Sequence, residues 1–354
     1  MVTAAITGVG TALPETIDQR ALWDGFFRGH FASDRLARRI FEGSGVDRRH
    51  AVANPLTEDL SHSSTAARMR RYAERAPDLG HRAVAAALAD AGLTAEDLGQ
   101  LTVVSCTGYT TPGLDITLAA SLKLPPRAHR LLVGHMGCYA ALPALGNAAA
   151  FAITHERPVA LLCLELTSLH VQPPTTEPQQ VVSHALFSDA AAALVLQCRT
   201  AGSESTSARG VDVVDTAAFT DTSAAEHMTW DVTDLGFRMG LSPHVPDVLA
   251  EHLPTVIGEL LARNGLGVPD VRGWAVHPGG PRILHTVERT LRLPADALAA
   301  SRTVLAEHDN CSSGTVLLVL DELRANGALD DGGPVVALAF GPGLTLYAAL
   351  LMRR

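Results

Sequence analysis

Three residues of this 354-residue sequence have types and settings suited to acyl-transfer chemistry: Cys138, His277 and Asn310. Cys138 follows the turn Gly134-His135-Met136-Gly137 and opens the apolar run YAALPALGNAAAF, so its sulfur is expected at a helix N-terminus. There the unpaired N–H groups and the helix dipole favour a thiolate. A small buried hydrophobe is the competing reading of a free cysteine. His277 ends the strand-like run Trp274-Ala275-Val276 and precedes Pro278-Gly279-Gly280, a loop that lets a ligand approach the backbone closely. Asn310 stands before an apolar helical pattern, where capping of backbone N–H groups competes with a chemical role. Together the three could pass an acyl group through a thioester. The thiolate attacks, while the His Nε2–H and the Asn amide donate to the oxygen that gains charge. The same donors could stabilise the enolate left when a malonyl thioester loses carbon dioxide, and that carbon would attack the acyl-cysteine. Papain-like thiol hydrolases use the same residue types in the same order, so the triad alone leaves hydrolysis open.

Two segments that would position these residues share one grammar. HRAVAAALADAGLTAEDLGQLTVVSCTG, from His81 to Gly108, and EHLPTVIGELLARNGLGVPDVRGWAVHPGG, from Glu251 to Gly280, both run from an apolar-periodic helix through a Gly-Leu stop and an acidic turn to a strand and a small-residue loop. The continuations match too: a helix opened near Cys138 and the strand PVALLCLE in one, a helix opened after Asn310 and the strand PVVALAFG in the other. Continuous apolar strands suit a sheet covered on both faces. The pattern predicts a layered α/β fold of two related halves, residues 1–200 with the cysteine and residues 211–354 with the histidine and asparagine, joined by a Ser/Thr/Gly-rich linker over about Arg199–Gly210. In this overlay Cys138 falls near Cys311 and Ser312, and His277 near Ser105 and Cys106. A shared site is expected where the matching strand ends meet.

Bulk properties restrict the function class. The chain is 47% hydrophobic and 18% charged with a net charge of −9, and no long basic run offers a footprint for nucleic acid or an anionic membrane. The clusters Arg35, Arg38, Arg39, Arg48, Arg49 and Arg68, Arg70, Arg71 read as solvated helix faces. Five cysteines without a C-x-x-C pair argue against a disulfide framework and a metal site, and fit a cytoplasmic protein. The N-terminal MVTAAITGVGTALPE reads as a first strand rather than a signal peptide. The apolar stretch Gly134–Ile153 reads as a buried helix, because His135, Pro143 and Asn147 interrupt it.

Several blocks in order, CTGYTTPGLD at 106–115, GHMGCYAAL around Cys138, HALFSDAAAA around Phe187, AVHPGGP around His277, NCSSGTVLLVLDEL from Asn310 and FGPGLT from Phe340, resemble the chalcone synthase-like type III polyketide synthases of the thiolase superfamily. The resemblance covers most of the chain and implies a thiolase-like layered αβαβα fold. It also implies iterative decarboxylative condensation of malonyl-CoA onto an acyl-CoA starter held on Cys138, with His277 and Asn310 assisting, then cyclisation to a pyrone, resorcinol or polyhydroxylated aromatic. No cofactor is implied. By the same resemblance Phe187 is the gatekeeper between CoA tunnel and cavity, and Cys106 matches a cavity position that is also Cys in bacterial naphthalene-forming members. Thr111 matches a residue that crosses a homodimer interface into the partner's cavity, and Ser183, Ser312 and Phe340 complete the expected substrate-binding set. An acyl carrier protein is a further possible partner. The sequence departs from the family at four places: the second gatekeeper phenylalanine is replaced at Pro243, a cavity threonine by His170, the Gly before Asn310 by Asp309, and the first Gly of the C-terminal loop by Ala339. A single-condensation ketoacyl synthase III-like enzyme or an acyltransferase is the nearest alternative, and the thiol hydrolase the remote one.

Overall fold

In the computed structural model, which describes residues 2–32, 34–200, 210–329 and 332–353, the apolar runs become strands of one large sheet. The strands are β1 Val2–Ala12, β2 Glu15–Asp18, β3 Arg48–Ala51, β4 Gln100–Val104, β5 His129–Val133, β6 Val159–Leu166, β7 Asp189–Thr200, β8 Val211–Thr220, β9 Met228–Thr233, β10 Gly236–Leu241, β11 Gly273–Val276, β12 Gly333–Gly341 and β13 Thr345–Arg353. Nine of them are ordered β11-β12-β13-β8-β1-β7-β6-β4-β5, with the short β2–β3 and β9–β10 pairs beside them. Outward from the centre, β1 faces β8, β7 matches β13, β6 matches β12 and β4 matches β11, which is the duplication expected from the sequence; β5 is an additional edge strand. The two sets join where Ala4, Ala5 and Ile6 pair antiparallel with Val213, Asp212 and Val211.

Helices cover the strands in layers. Thr65–Asp90 packs on β1, β6 and β7, while Val245–Ala262 packs on β8 and β13. Between the halves lie Ala141–His155, which touches strands of both, and Thr315–Ala325, which touches β7, β11 and β12. Three apolar cores follow these interfaces, the central one built on Leu142, Leu145, Ala148, Val316 and Val319. Burying each such leucine or valine contributes about 1.5–3 kcal/mol. β6 is buried at all eight positions because helices lie on both of its faces.

Gly137–His155 is apolar and long enough to cross a membrane by composition alone. Here it is the inner helix between the halves, as its interrupted pattern predicted. Most of the expected linker, residues 201–209, lies outside the described residues. The reading of the arginine clusters needs a correction, since Arg49 and Arg68 are buried. Arg68 donates to the carbonyls of Leu60, Ser61, Ser63, Leu169 and Val171, so backbone acceptors replace the water it gives up.

Candidate active site

Cys138 occupies a 3-10 turn, Gly137–Tyr139, that leads into the inner helix. The turn requires glycine at 137: its φ is +74°, and a Cβ there would lie 2.7 Å from Cδ of Pro342. On the other half the equivalent turn, Ser312–Gly314, opens the second inner helix. The Ser312 hydroxyl lies 3.7 Å from the Cys138 sulfur and 3.5 Å from the Cys106 sulfur, so the expected juxtaposition of the two turns is real.

Asn310 serves as a cap and shares the cavity of Cys138 at once. Its Oδ1 accepts from the Ser312 N–H at 2.8 Å and the Thr315 hydroxyl at 3.4 Å, and its side chain favours the charged form of the Cys138 thiol. Capping uses the oxygen end of the side chain and leaves the nitrogen end available. His277 follows β11 and packs edge-on against Phe340, with ring centroids 5.8 Å apart. Its Nδ1 is buried without a hydrogen-bond partner among the described residues. Cys138, His277, Asn310 and Phe340 line one cavity of about 830 Å³ that opens to solvent.

The electrostatics overturn one expectation. A helix N-terminus predicted a stabilised thiolate, but burial pushes the Cys138 thiol up to about 12; the Ser312 hydroxyl opposes that rise, Glu165 adds to it, and the Asn310 side chain opposes it more weakly. Burial also pushes His277 down to about 3. The resting site therefore holds a neutral thiol and a neutral imidazole, because desolvation outweighs the turn's donors.

Glu165, at the end of β6, carried no signal in the sequence beyond a charge closing an apolar strand. Its carboxylate is fully buried and accepts from Cys106 N–H at 3.0 Å, Thr107 Oγ1 at 2.8 Å and Ser313 Oγ at 2.6 Å, fixing the loop after β4 to the turn beside Asn310.

Beyond Cys138 a small inner chamber of about 20 Å³ is walled by Cys106, Thr107, Thr167, Trp230 and Ser312. Cys138, Phe187 and Met239 line both this chamber and the outer cavity, so the sulfur stands where the two meet.

Residues 2–199 match the N-terminal domain of chalcone and stilbene synthases, and residues 215–354 match the C-terminal domain. The chain belongs to this family of type III polyketide synthases. It is 32% identical over 352 residues to a 3,5-dihydroxyphenylacetyl-CoA synthase of Streptomyces toyocaensis, spanning 98% of this chain and 89% of that protein. It is 33% identical over 322 residues to a 1,3,6,8-tetrahydroxynaphthalene synthase of Streptomyces peucetius subsp. caesius, spanning 90% and 84%. Among solved structures it is similar to PKS-I of the brown alga Ectocarpus siliculosus, with a TM-score of 0.92 at 28% identity over 100% of this chain and 99% of that one. The expected layered thiolase-like fold is thereby shown.

Within this synthase the expected binding residues separate into groups. Phe187 stands at the constriction, and Cys106 and Ser312 line the inner chamber. Ser183 lines the outer cavity and a neighbouring hollow of about 40 Å³. Pro243 lies on the outer wall alone, whereas Met239, on β10, lines both the outer cavity and the inner chamber as Phe187 does. His170 lines the hollow of about 40 Å³ rather than the inner chamber. It lies behind Trp230, stacked on Phe237 with ring centroids 4.5 Å apart, and both ring nitrogens are engaged: Nε2 with the Thr107 carbonyl at 2.7 Å and Nδ1 with the Phe237 N–H at 2.9 Å. A histidine so satisfied is a strut, and burial holds it at about 3. Thr111 is on the surface of the chain, beside the exposed Tyr109 and Pro112. Trp230 and Met239 carry no signal in the sequence because β9 and β10 are short strands whose period does not indicate a cavity wall.

Proposed function

We propose that Cys138 carries the acyl chain, that His277 and Asn310 donate to the oxygen of the malonyl thioester as it decarboxylates and condenses, and that the substrates are CoA thioesters. The observation carrying this reading is the meeting of all three residues on one cavity wall at the constriction formed by Phe187 and Met239. His277 is suited to the neutral donor role, since an imidazole held near 3 stays uncharged at working pH. The thiol must lose its proton in the act of attack.

The exposed Arg39 and Arg282 line the open end of the outer cavity, where CoA phosphates or the phosphopantetheine of a carrier protein would be held. The apolar wall of Ile40, Val182, Leu186 and Ile283 suits the pantetheine arm. At about 20 Å³ the inner chamber has room for little more than a water molecule, which favours a short starter and a compact pyrone or aromatic product. Trp230, pinned by its indole N–H to the Cys106 carbonyl at 2.9 Å, is the wall that sets this limit.

We also propose a homodimer through the β5 edge, where Leu132, Tyr109 and Ile116 are exposed apolar residues beside Thr111. A cytoplasmic setting suits five free thiols.

Incubation with labelled malonyl-CoA and a panel of acyl-CoA starters tests the reading. Labelled carbon dioxide together with a multi-extension product supports it. Single condensation with malonyl-carrier protein and no turnover of malonyl-CoA favours the ketoacyl synthase alternative, acylated Cys138 without carbon dioxide favours an acyltransferase, and free acid alone favours hydrolysis.

A further inference from the structure

Asp309, the residue before Asn310, has φ +63° and ψ −166°, a conformation that only glycine adopts without strain. Its side chain is also fully buried, and burial pushes the carboxyl up to about 7. A strained and desolvated carboxylate needs a compensating partner, and the structure supplies a buried arginine. Arg49 Nη2 lies 3.4 Å from Asp309 Oδ2, an ion-pair contact in which neither atom has a hydrogen-bond partner among the described residues. The Nη1 of the same guanidinium donates to the carbonyls of His184 at 2.8 Å and Phe187 at 3.2 Å.

Those contacts sit astride a short bridge between the two functional segments. Phe187 and Asn310 are bridge partners: the Ser188 N–H donates to the Asn310 carbonyl at 3.0 Å, and the Asn310 N–H donates to the Leu186 carbonyl at 3.2 Å. The Asn310 N–H also reaches Asp309 Oδ1 at 2.8 Å. One guanidinium thus touches the backbone of the constriction on one side and the carboxylate adjoining the candidate oxyanion donor on the other. The remaining nearby carboxylate, Asp189, is occupied by Val52 N–H, Ser168 N–H and the hydroxyls of Ser168 and Thr167.

We propose that Arg49 and Asp309 are a positioning pair that fixes Asn310 and Phe187 relative to each other, so that the donor and the constriction are held as one unit. The proposal rests on the role given above to Asn310. Without the Asp309 carboxylate, Arg49 loses the larger of its two counter-charges and keeps only Asp189, which draws it away from the Phe187 carbonyl and lets Asn310 shift relative to Cys138. A misplacement of about 1 Å at such a donor costs on the order of a hundredfold in rate.

Two variants separate positioning from folding: Asp309→Gly relieves the backbone strain and removes the charge, while Asp309→Asn keeps the shape and removes the charge. With melting temperatures recorded, kcat and KM for malonyl-CoA are measured for both, for Arg49→Lys, and for Arg49→Lys combined with Asp309→Asn. The expected result is a fall in kcat of roughly tenfold to a hundredfold in each single variant with KM within about threefold, and a double variant no worse than the poorer single. Unchanged kcat in Asp309→Gly and Asp309→Asn from an active wild type, whatever the melting temperatures, overturns the pair, as do multiplicative losses in the double variant. A wild type that releases no carbon dioxide from malonyl-CoA removes the reading of Asn310 and the pair with it.

Discussion

The two halves share a frame and finish its strands in opposite ways. At the end of β6 stands Glu165, a carboxylate that gathers four donors and holds the loop after β4 in place. The matching position at the end of β12 is Gly341, where a Cβ would lie 2.8 Å from the Tyr139 ring and 3.3 Å from the Cys138 N–H nitrogen, so the missing side chain lets the C-terminal loop close on the cysteine turn. The end of β4 carries Ser105 and Cys106, held by Glu165, and the end of β11 carries His277, whose Nδ1 is unpaired among the described residues. The inner helices diverge likewise, one opened by a thiol and the other by an amide and a hydroxyl. A duplicated scaffold thus brings equivalent strand ends together, and under the proposed roles divergence at those few positions divides the labour between a nucleophile and a pair of donors.

The strongest way to break this division is to exchange its members. Cys138→Ala is expected to abolish product formation, a loss of about a thousandfold or more in kcat measured by product release, whereas Ser312→Ala retains activity. A Cys138→Ala enzyme that still extends chains removes the nucleophile from the first half. Asn310→Ala is next, with decarboxylation of malonyl-CoA falling on the order of a hundredfold while Cys138 can still be acylated. Loss of acylation alone, with decarboxylation intact, would move the donor role elsewhere.

Trp230→Ala tests the wall rather than the chemistry. It joins the chamber of about 20 Å³ to the hollow of about 40 Å³ beside it, so mass spectrometry of products from mixed starters should show longer starters or further extensions. An unchanged product profile would place the limit at Phe187 or Met239 instead.

The setting of Cys138 is probed by alkylation. With the thiol near 12, iodoacetamide inactivation should rise about tenfold per pH unit from 6 to 9 without a plateau, since only the growing thiolate fraction reacts. A plateau below pH 7 would reveal an imidazolium–thiolate pair. Glu165→Gln removes a charge that raises the thiol, so the same profile should move to lower pH, with a rate at pH 8 several-fold, about threefold to tenfold, above wild type. The smallest effect is expected at the open end of the cavity, where Arg39→Ala or Arg282→Ala should raise KM for acyl-CoA about threefold to tenfold and leave kcat nearly unchanged.

Much of this was legible in the chain. The helix-to-strand grammar at 81–108 and 251–280, the uninterrupted apolar strands, the glycine turn before Cys138 and the strand-end His277 determined a layered α/β frame of two halves and the residues that meet at its centre, because periodicity and turn chemistry are local properties. Tertiary structure alone decided the rest. Whether Cys138 rests as thiol or thiolate depends on water excluded by both halves at once. Met239 rather than Pro243 shares both cavities with Phe187 because it lies on the β9–β10 hairpin while Pro243 follows it. His170 becomes a strut since two distant backbone groups claim its nitrogens, and Asp309 tolerates a glycine conformation beside an arginine 260 residues away in the chain. Burial and non-local pairing set each of these outcomes, and neither is written in the neighbours of a residue along the sequence.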